Sequence, residues 1–247
     1  MNFNDIDMEN FNIKGSTFNF SAVRVENLNE TEYTIVNLII DVSGSVSPFS
    51  SDLDAMLKEV VRACKKSPRM DNILFRVSVF NSSYREVHGY MDLSLVDENS
   101  YDQLVCGGGT ALFDAVYVAI GSSRDYADTL DKQDIITNGI VFIITDGDDN
   151  SSMYPPSKIQ EAIRDIKHDE VMDSFLSILI GVNVDPSSGL SGYLDDFKNE
   201  ANIDQYISMG EVTPSKLAKL GGFISKSISS QSQSLGTGTS ASVSLSF

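Results

Sequence analysis

The sequence predicts an α/β fold: a doubly wound, mostly parallel open sheet with helices on both faces. Three observations carry this expectation. Short, nearly continuous apolar runs recur at Tyr33 to Asp41 (YTIVNLIID), Gly139 to Thr145 (GIVFIIT) and Ser174 to Val182 (SFLSILIGV), the pattern of strands buried on both faces. Between them lie segments whose apolar residues return at three- and four-residue steps, as on one face of a helix. The two kinds of segment alternate, which is how a parallel sheet with crossover helices is wound.

Taken in order, residues 1 to 15 are polar and acidic and read as a mobile start, followed by a short strand in Thr17 to Val25 (TFNFSAVRV). Residues 1–31 are thus expected to be an extension ahead of a main domain at 32–228. Tyr33 to Asp41 is the first buried strand. Leu53, Met56, Leu57, Val60, Val61 and Cys64 mark a helix that Pro68 closes. Ile73 to Phe80 is the next strand, with Tyr84 to Tyr90 as an antiparallel edge beside it. Leu112, Ala115, Val116, Ala119 and Ile120 form a second helix entered directly from Gly107-Gly108-Gly109-Thr110. After the Gly139 to Thr145 strand, Pro155 and Pro156 open a helix through Ile159, Ala162, Ile163 and Ile166, because proline is tolerated in a first turn. Ser174 to Val182 is a strand, Leu190 to Asn199 a short helix, Tyr206 to Ser208 a last strand and Pro214 to Ile228 a closing helix. Residues 229–247 are rich in Ser, Gly, Thr and Gln and read as a flexible tail. At its end Val243, Leu245 and Phe247 alternate with serines, as in a strand with one apolar face that could add to a sheet edge.

Composition narrows the function. With 247 residues, 41% of them apolar and 21% charged, the chain can bury a sizeable core. No apolar run is long enough to cross a bilayer and no basic, then apolar, leader opens the chain, so a cytoplasmic location is expected, without membrane insertion. A net charge of −17 and the lack of a basic stripe exclude direct nucleic-acid binding as an expectation. Cys64 and Cys106 give neither a disulfide framework nor a metal spacing and read as reduced small apolar residues. His88 and His168 sit in polar stretches without a second His or Cys nearby, which disfavours zinc.

Two of the buried strands end in carboxylates followed by tight turns, Asp41-Val42-Ser43-Gly44-Ser45 and Thr145-Asp146-Gly147, and a third polar loop ends in Thr110 at a helix start. Should the two strands lie side by side, two carboxylates and three hydroxyls converge. Such hard oxygen donors, with water, suit Mg²⁺, and only two negative charges leave the ion able to attract a further anionic ligand. Each segment alone has an ordinary reading, since Ser-Gly and Asp-Gly are common turn pairs. Their combination and order favour a metal site.

Asp41-x-Ser43-x-Ser45, then Thr110 within GGGTALFDA, then Asp146 resembles the metal-ion-dependent adhesion site of von Willebrand factor type A (VWA) domains, over about residues 33 to 228. The resemblance implies a Rossmann-like doubly wound sheet. It further implies that Ser43, Ser45 and Thr110 touch a divalent cation directly, with Asp41 and Asp146 acting mainly through water. Mg²⁺ is the expected ion, with Mn²⁺ and Ca²⁺ as alternatives. Within the family, the intracellular bacterial branch that includes the VWA proteins of tellurite-resistance clusters looks closest, on its short loops and the closing SKLAKLGGFISKSISSQSQS segment. By that resemblance the chain is an adaptor without enzymatic activity. Its partner is a protein supplying a Glu or Asp, in an assembly that can include ATPase, kinase or phosphatase components.

Asp146-Gly147-Asp148-Asp149-Asn150 departs from the pattern by its extra acids. Asp148 and Asp149 either tune the site toward Ca²⁺ or form a solvated acidic loop, the ordinary reading. Asp114 is expected to steady its loop by hydrogen bonding. Two other functions compete: a Mg²⁺-dependent phosphoester hydrolase, and an assembly subunit whose site is vestigial. Against the hydrolase, Ser43 stands where an Asp-x-Asp enzyme carries its general acid, and no histidine or closely following cation accompanies the motif.

Overall fold

The computed structural model describes residues 6–234. Its sheet has eight strands: β1 (Met8–Asn12), β2 (Asn19–Val23), β3 (Glu32–Asp41), β4 (Ile73–Phe80), β5 (Tyr84–Asp92), β6 (Ile136–Thr145), β7 (Phe175–Gly181) and β8 (Gln205–Ser208). They lie in the order β1-β2-β5-β4-β3-β6-β7-β8. The core from β4 through β8 is parallel, β5 runs antiparallel to β4, and β1 runs antiparallel to β2. Five helices, α1 (Ser50–Cys64), α2 (Leu112–Asp131), α3 (Pro156–His168), α4 (Gly189–Ala201) and α5 (Pro214–Gln233), complete the fold.

Alternation along the central strands distributes the helices. Val36, Leu38 and Ile40 face α1 and α5, where Leu57, Val60, Leu220 and Ile224 pack. Ile35 and Ile39 face the opposite layer, where α2, α3 and α4 contribute Val116, Ile120, Ile163 and Phe197. Apolar side chains that point to both faces along the same strand require cover on both sides. The predicted doubly wound α/β architecture is therefore the observed one.

Four sequence expectations need correction. The polar start is not all mobile, because Met8–Asn12 pairs with β2 and Phe11 stacks on Phe20. Consequently β5 is not an edge: β2 lies alongside it, with Ala22 opposite Tyr90. The extension assigned to residues 1–31 thus contributes two strands to the main sheet. It is fastened there by Tyr126 Oη donating to Val23 O at 2.8 Å and by Ser21 Oγ and N–H donating to Glu86. The closing helix runs past Ile228 to Gln233, where Gln231 is buried, donates to Ser174 Oγ at 2.9 Å and accepts at its carbonyl from Asn138. Finally, His88 is a core residue: its ring lies against Tyr101 and Gly89 O, and burial lowers its pKa to about 4. The alternating Val243, Leu245 and Phe247 lie outside the described residues.

Beneath α2 the sheet buries a polar cluster. Arg76 on β4 is fully buried, paired with Glu86 at 2.6 Å and flanked by the rings of Phe20, Tyr84 and Tyr90. Asn37 donates to Tyr90 Oη and to Ala119 O.

Candidate metal centre

β3 and β6 are parallel neighbours in register, Ile40 opposite Ile144, so their carboxyl ends open at the same edge. The chain leaves β3 for β4 on one side and places β6 on the other, which makes this the switch point where doubly wound sheets bind ligands. Asp41 closes β3 and Asp146 follows β6; they are 1% and 7% exposed.

The turn after β3 folds back on its own carboxylate. Asp41 Oδ1 accepts from Ser43 N–H at 2.7 Å and Oδ2 from Thr145 Oγ1 at 2.6 Å, which fixes the carboxylate in one orientation. Ser45 Oγ donates to Asp146 Oδ1 at 2.7 Å and lies 3.1 Å from Ser43 Oγ. One continuous hydroxyl and carboxylate network therefore links Asp41, Ser43, Ser45, Thr145 and Asp146.

Thr110 reaches the same edge on the glycine loop. Its hydroxyl faces Gly147, where an added β-carbon would sit 3.8 Å from Thr110 Oγ1. Several backbone bonds seat the loop: Gly107 N–H to Val42 O at 2.8 Å, Gly44 N–H to Gly108 O at 3.1 Å and Ala111 N–H to Asn81 O at 2.6 Å. Gly108 adopts φ +83°, a conformation that suits glycine, and a side chain on Gly109 would come within 2.5 Å of Asn150 Oδ1. Asn150 in turn accepts from Thr110 N–H at 2.8 Å, locking this loop to the one after β6.

The remaining acids have other positions. Asp114 is buried and accepts from Met153 N–H at 3.0 Å and Tyr154 N–H at 2.9 Å, so it holds the 150s loop. Asp148 is exposed. Asp149 accepts from Phe113 N–H at 3.3 Å in the first turn of α2 and from Ser152, a loop-fastening role that the sequence reading of a tuning or solvated acid did not include. Thr145, Asn81, Ser82 and Asn150 were also missed. Of these only Thr145 carried a signal, as a hydroxyl directly before the strand-ending acid.

Electrostatically the site centres on two buried carboxylates. Burial raises the Asp41 pKa above its ordinary value against opposing hydrogen bonds from Thr145 and Ser43. Burial also pushes Asp146 up to about 6, with the Asp41 charge adding to it and the Ser45 hydrogen bond opposing. Among the described residues no Lys or Arg forms an ion pair with either acid. Nor do three His, Cys, Asp or Glu side chains among the described residues form a group that could hold a metal ion by themselves. A cation here would therefore be held by mixed hydroxyl and carboxylate oxygens. That donor set, charge-deficient and hard, fits Mg²⁺ or a similar ion. The half-buried Cys106 thiol lies beside it, raised chiefly by burial and further by the charges of Asp41, Asp54 and Asp146.

No family model matches the chain, and no curated protein matches it by sequence. Solved structures do resemble it. Proximal thread matrix protein 1 from the mussel byssus, in a structure with a zinc-occupied MIDAS motif, shares 14% identity over 80% of this chain and 45% of that one, with a TM-score of 0.51. The PilB minor pilin of Streptococcus sanguinis shares 15% identity over 84% and 64%, with a TM-score of 0.55. The pilus adhesin SpaC of Lactobacillus rhamnosus GG shares 9% identity over 86% and 32%, with a TM-score of 0.58. This chain spans less than two thirds of each of these proteins. At these identities the likeness shows the fold alone, a mostly parallel α/β sheet with helices.

Proposed function

We propose that this chain is a metal-dependent protein-interaction module that grips a carboxylate of a partner protein through a divalent cation. The observation that carries the reading is the pair of buried acids, Asp41 and Asp146, fixed by hydroxyls and with no Lys or Arg ion-paired to either among the described residues. Burying uncompensated charge is costly and is rarely kept without a use. Ser43, Ser45 and Thr110 would hold the cation directly, and Asp41 and Asp146 would act mainly through water. The bound ion would supply a positive charge with a ligand position left for a Glu or Asp. Mg²⁺ suits the donors best; Mn²⁺ and Ca²⁺ are the alternatives. The zinc-occupied MIDAS motif of the byssus protein, a structure of similar fold, supports a divalent cation in general.

The surroundings of the site support an adaptor role over a catalytic one. His88 is locked in the core, His168 is exposed on the last turn of α3, and among the described residues no Lys or Arg pairs with either acid to stabilise a transferring group. The placement among intracellular bacterial VWA proteins, with ATPase, kinase or phosphatase partners, rests on the sequence resemblance alone, and the two free cysteines suit a reducing compartment. No helix among the described residues is long and apolar enough to cross a membrane.

The test is affinity capture from the native source with three baits in parallel: wild type in Mg²⁺, wild type in EDTA, and Asp41→Ala in Mg²⁺. A protein retained only by the first supports the metal bridge. The same proteins retained by all three would refute it and leave the assembly-subunit reading.

A further inference from the structure

Among the described residues the sheet ends at β8, with no strand beyond it. Met209 N–H, just past β8, donates to Gly181 O at 2.8 Å, on the β7 side. Backbone groups alternate in direction along a strand, so the N–H and C=O of Tyr206 and Ser208 point the other way, to the open edge. A groove of about 590 Å³ opens on this part of the chain, lined by residues 206–211 with Asp185, Pro186 and Lys216. β8 itself carries no charge, whereas the strand at the other edge, β1, carries Glu9. Charged side chains are a usual guard against strand pairing, and β8 lacks them. Its two faces also differ. Tyr206 packs on the α4 side, its hydroxyl 3.3 Å from Ser191 Oγ, while on the α5 side Ile207 and Val212 are only half-buried.

The sequence contains a segment suited to such an edge. Val243, Leu245 and Phe247 alternate with serines, and residues 235–247 hold no charged side chain. The crossovers decide whose segment fits. α3 and α4 carry the chain from β6 to β7 and on to β8 across one face of the sheet; α1 carries it the opposite way, from β3 to β4, across the other. These crossovers share one hand, as parallel connections almost always do. α5 packs beside α1 and ends near Ser174, ahead of β7, so a continuation of the same chain onto β8 would run parallel to it. That connection would travel in the direction of α3 and α4 on the face of α1, and so have the wrong hand. We propose that the open edge of β8 receives residues 243–247 of a second copy of this chain, as an added strand whose Val243, Leu245 and Phe247 cover Ile207 and Val212. Backbone bonds to Tyr206 and Ser208 hold the strand, and the apolar row fixes which face it turns to the core. The inference goes beyond the metal-bridge reading and does not depend on it.

The experiment follows amide hydrogen exchange of the full chain by NMR, with sedimentation velocity on the same samples, all in EDTA so that the metal centre plays no part. At high concentration the protein should associate, and the Tyr206 and Ser208 amides should exchange at least about tenfold more slowly than after dilution to the monomer. The Met209 amide, bonded inward to Gly181, checks that the fold is intact. Val243→Asp with Leu245→Asp should abolish the association and the protection together while Met209 is unchanged, and Ser244→Thr with Ser246→Thr should keep both. A chain that stays monomeric at every concentration overturns the proposal, as does association that survives the aspartate pair. Protection of Tyr206 and Ser208 that does not vary with concentration also overturns it, since the chain's own segment would then occupy the edge.

Discussion

Asp146→Asn should make the metal-free protein more stable and at the same time insensitive to Mg²⁺. Asp146 is 7% exposed, and burial, with the Asp41 charge, pushes its carboxyl from 3.8 up to about 6. A difference of about two pK units sets a ceiling of about 3 kcal/mol on what ionising this group costs the fold. The folded pKa lies above the unfolded one, so the folded state binds more protons between roughly pH 4 and pH 6. The group's favourable contribution is therefore complete below pH 4 and lost as pH rises through 6. At pH 7 the metal-free fold carries the full penalty. The amide keeps an oxygen that can accept from Ser45 Oγ and removes the charge; its own desolvation takes back part of the gain, leaving about 1–2 kcal/mol. Urea unfolding in EDTA should show the variant more stable by that amount at pH 7, with the gap closing by pH 4. Mg²⁺ at ten times its dissociation constant should then stabilise wild type by about 1.4 kcal/mol and leave the variant unmoved. A variant no more stable than wild type in EDTA at pH 7, or an equal Mg²⁺ response in both, would refute the argument.

Three further outcomes follow from the packing. Glu86→Ala strands the fully buried Arg76 and should cost about 3–5 kcal/mol by urea unfolding, much of it recovered in Arg76→Met with Glu86→Leu; equal losses in both would show the pair itself is not what matters. Gly89→Ala places a methyl 2.1 Å from Ser21 O, so β2 must shift, and limited proteolysis should cut the N-terminal strands well before the rest of the chain. Asp114→Ala frees the Met153 and Tyr154 amides, whose hydrogen exchange should speed by at least about tenfold while Mn²⁺ binding persists; lost Mn²⁺ binding would put Asp114 in the metal centre itself.

The parallel core was legible because burial on both faces leaves a chemical trace: Ile35 to Ile40 and Gly139 to Thr145 need no partner to be recognised as central strands. The edge was not. Met8–Asn12 is polar at most positions, since an edge strand is half solvated, and only Phe11 betrays its packing on Phe20 and Tyr126. The end of α5 was hidden for a different reason. Gln231 and Ser232 look like low-complexity tail, yet they are buried, and Gln231 is satisfied by Ser174 and Asn138, partners distant in sequence. His88 likewise reads as a polar-stretch residue until Tyr101 closes over it. At the candidate metal centre the residues that present oxygens stood out, because Asp-ended strands followed by Ser and Gly are unusual in combination. The residues that hold their loops, Asn81, Ser82, Asn150 and Asp149, act through backbone groups on other loops and carry no spacing of their own.

Titration of Mn²⁺ into the metal-free protein, followed by calorimetry and by water-proton relaxation, tests the central claim most directly. The structure predicts one site per chain in wild type, competed by Mg²⁺ and lost in both Asp41→Ala and Thr110→Ala, with each variant retaining the wild-type circular dichroism spectrum. Undiminished Mn²⁺ binding in those two folded variants, or none in wild type, would contradict it.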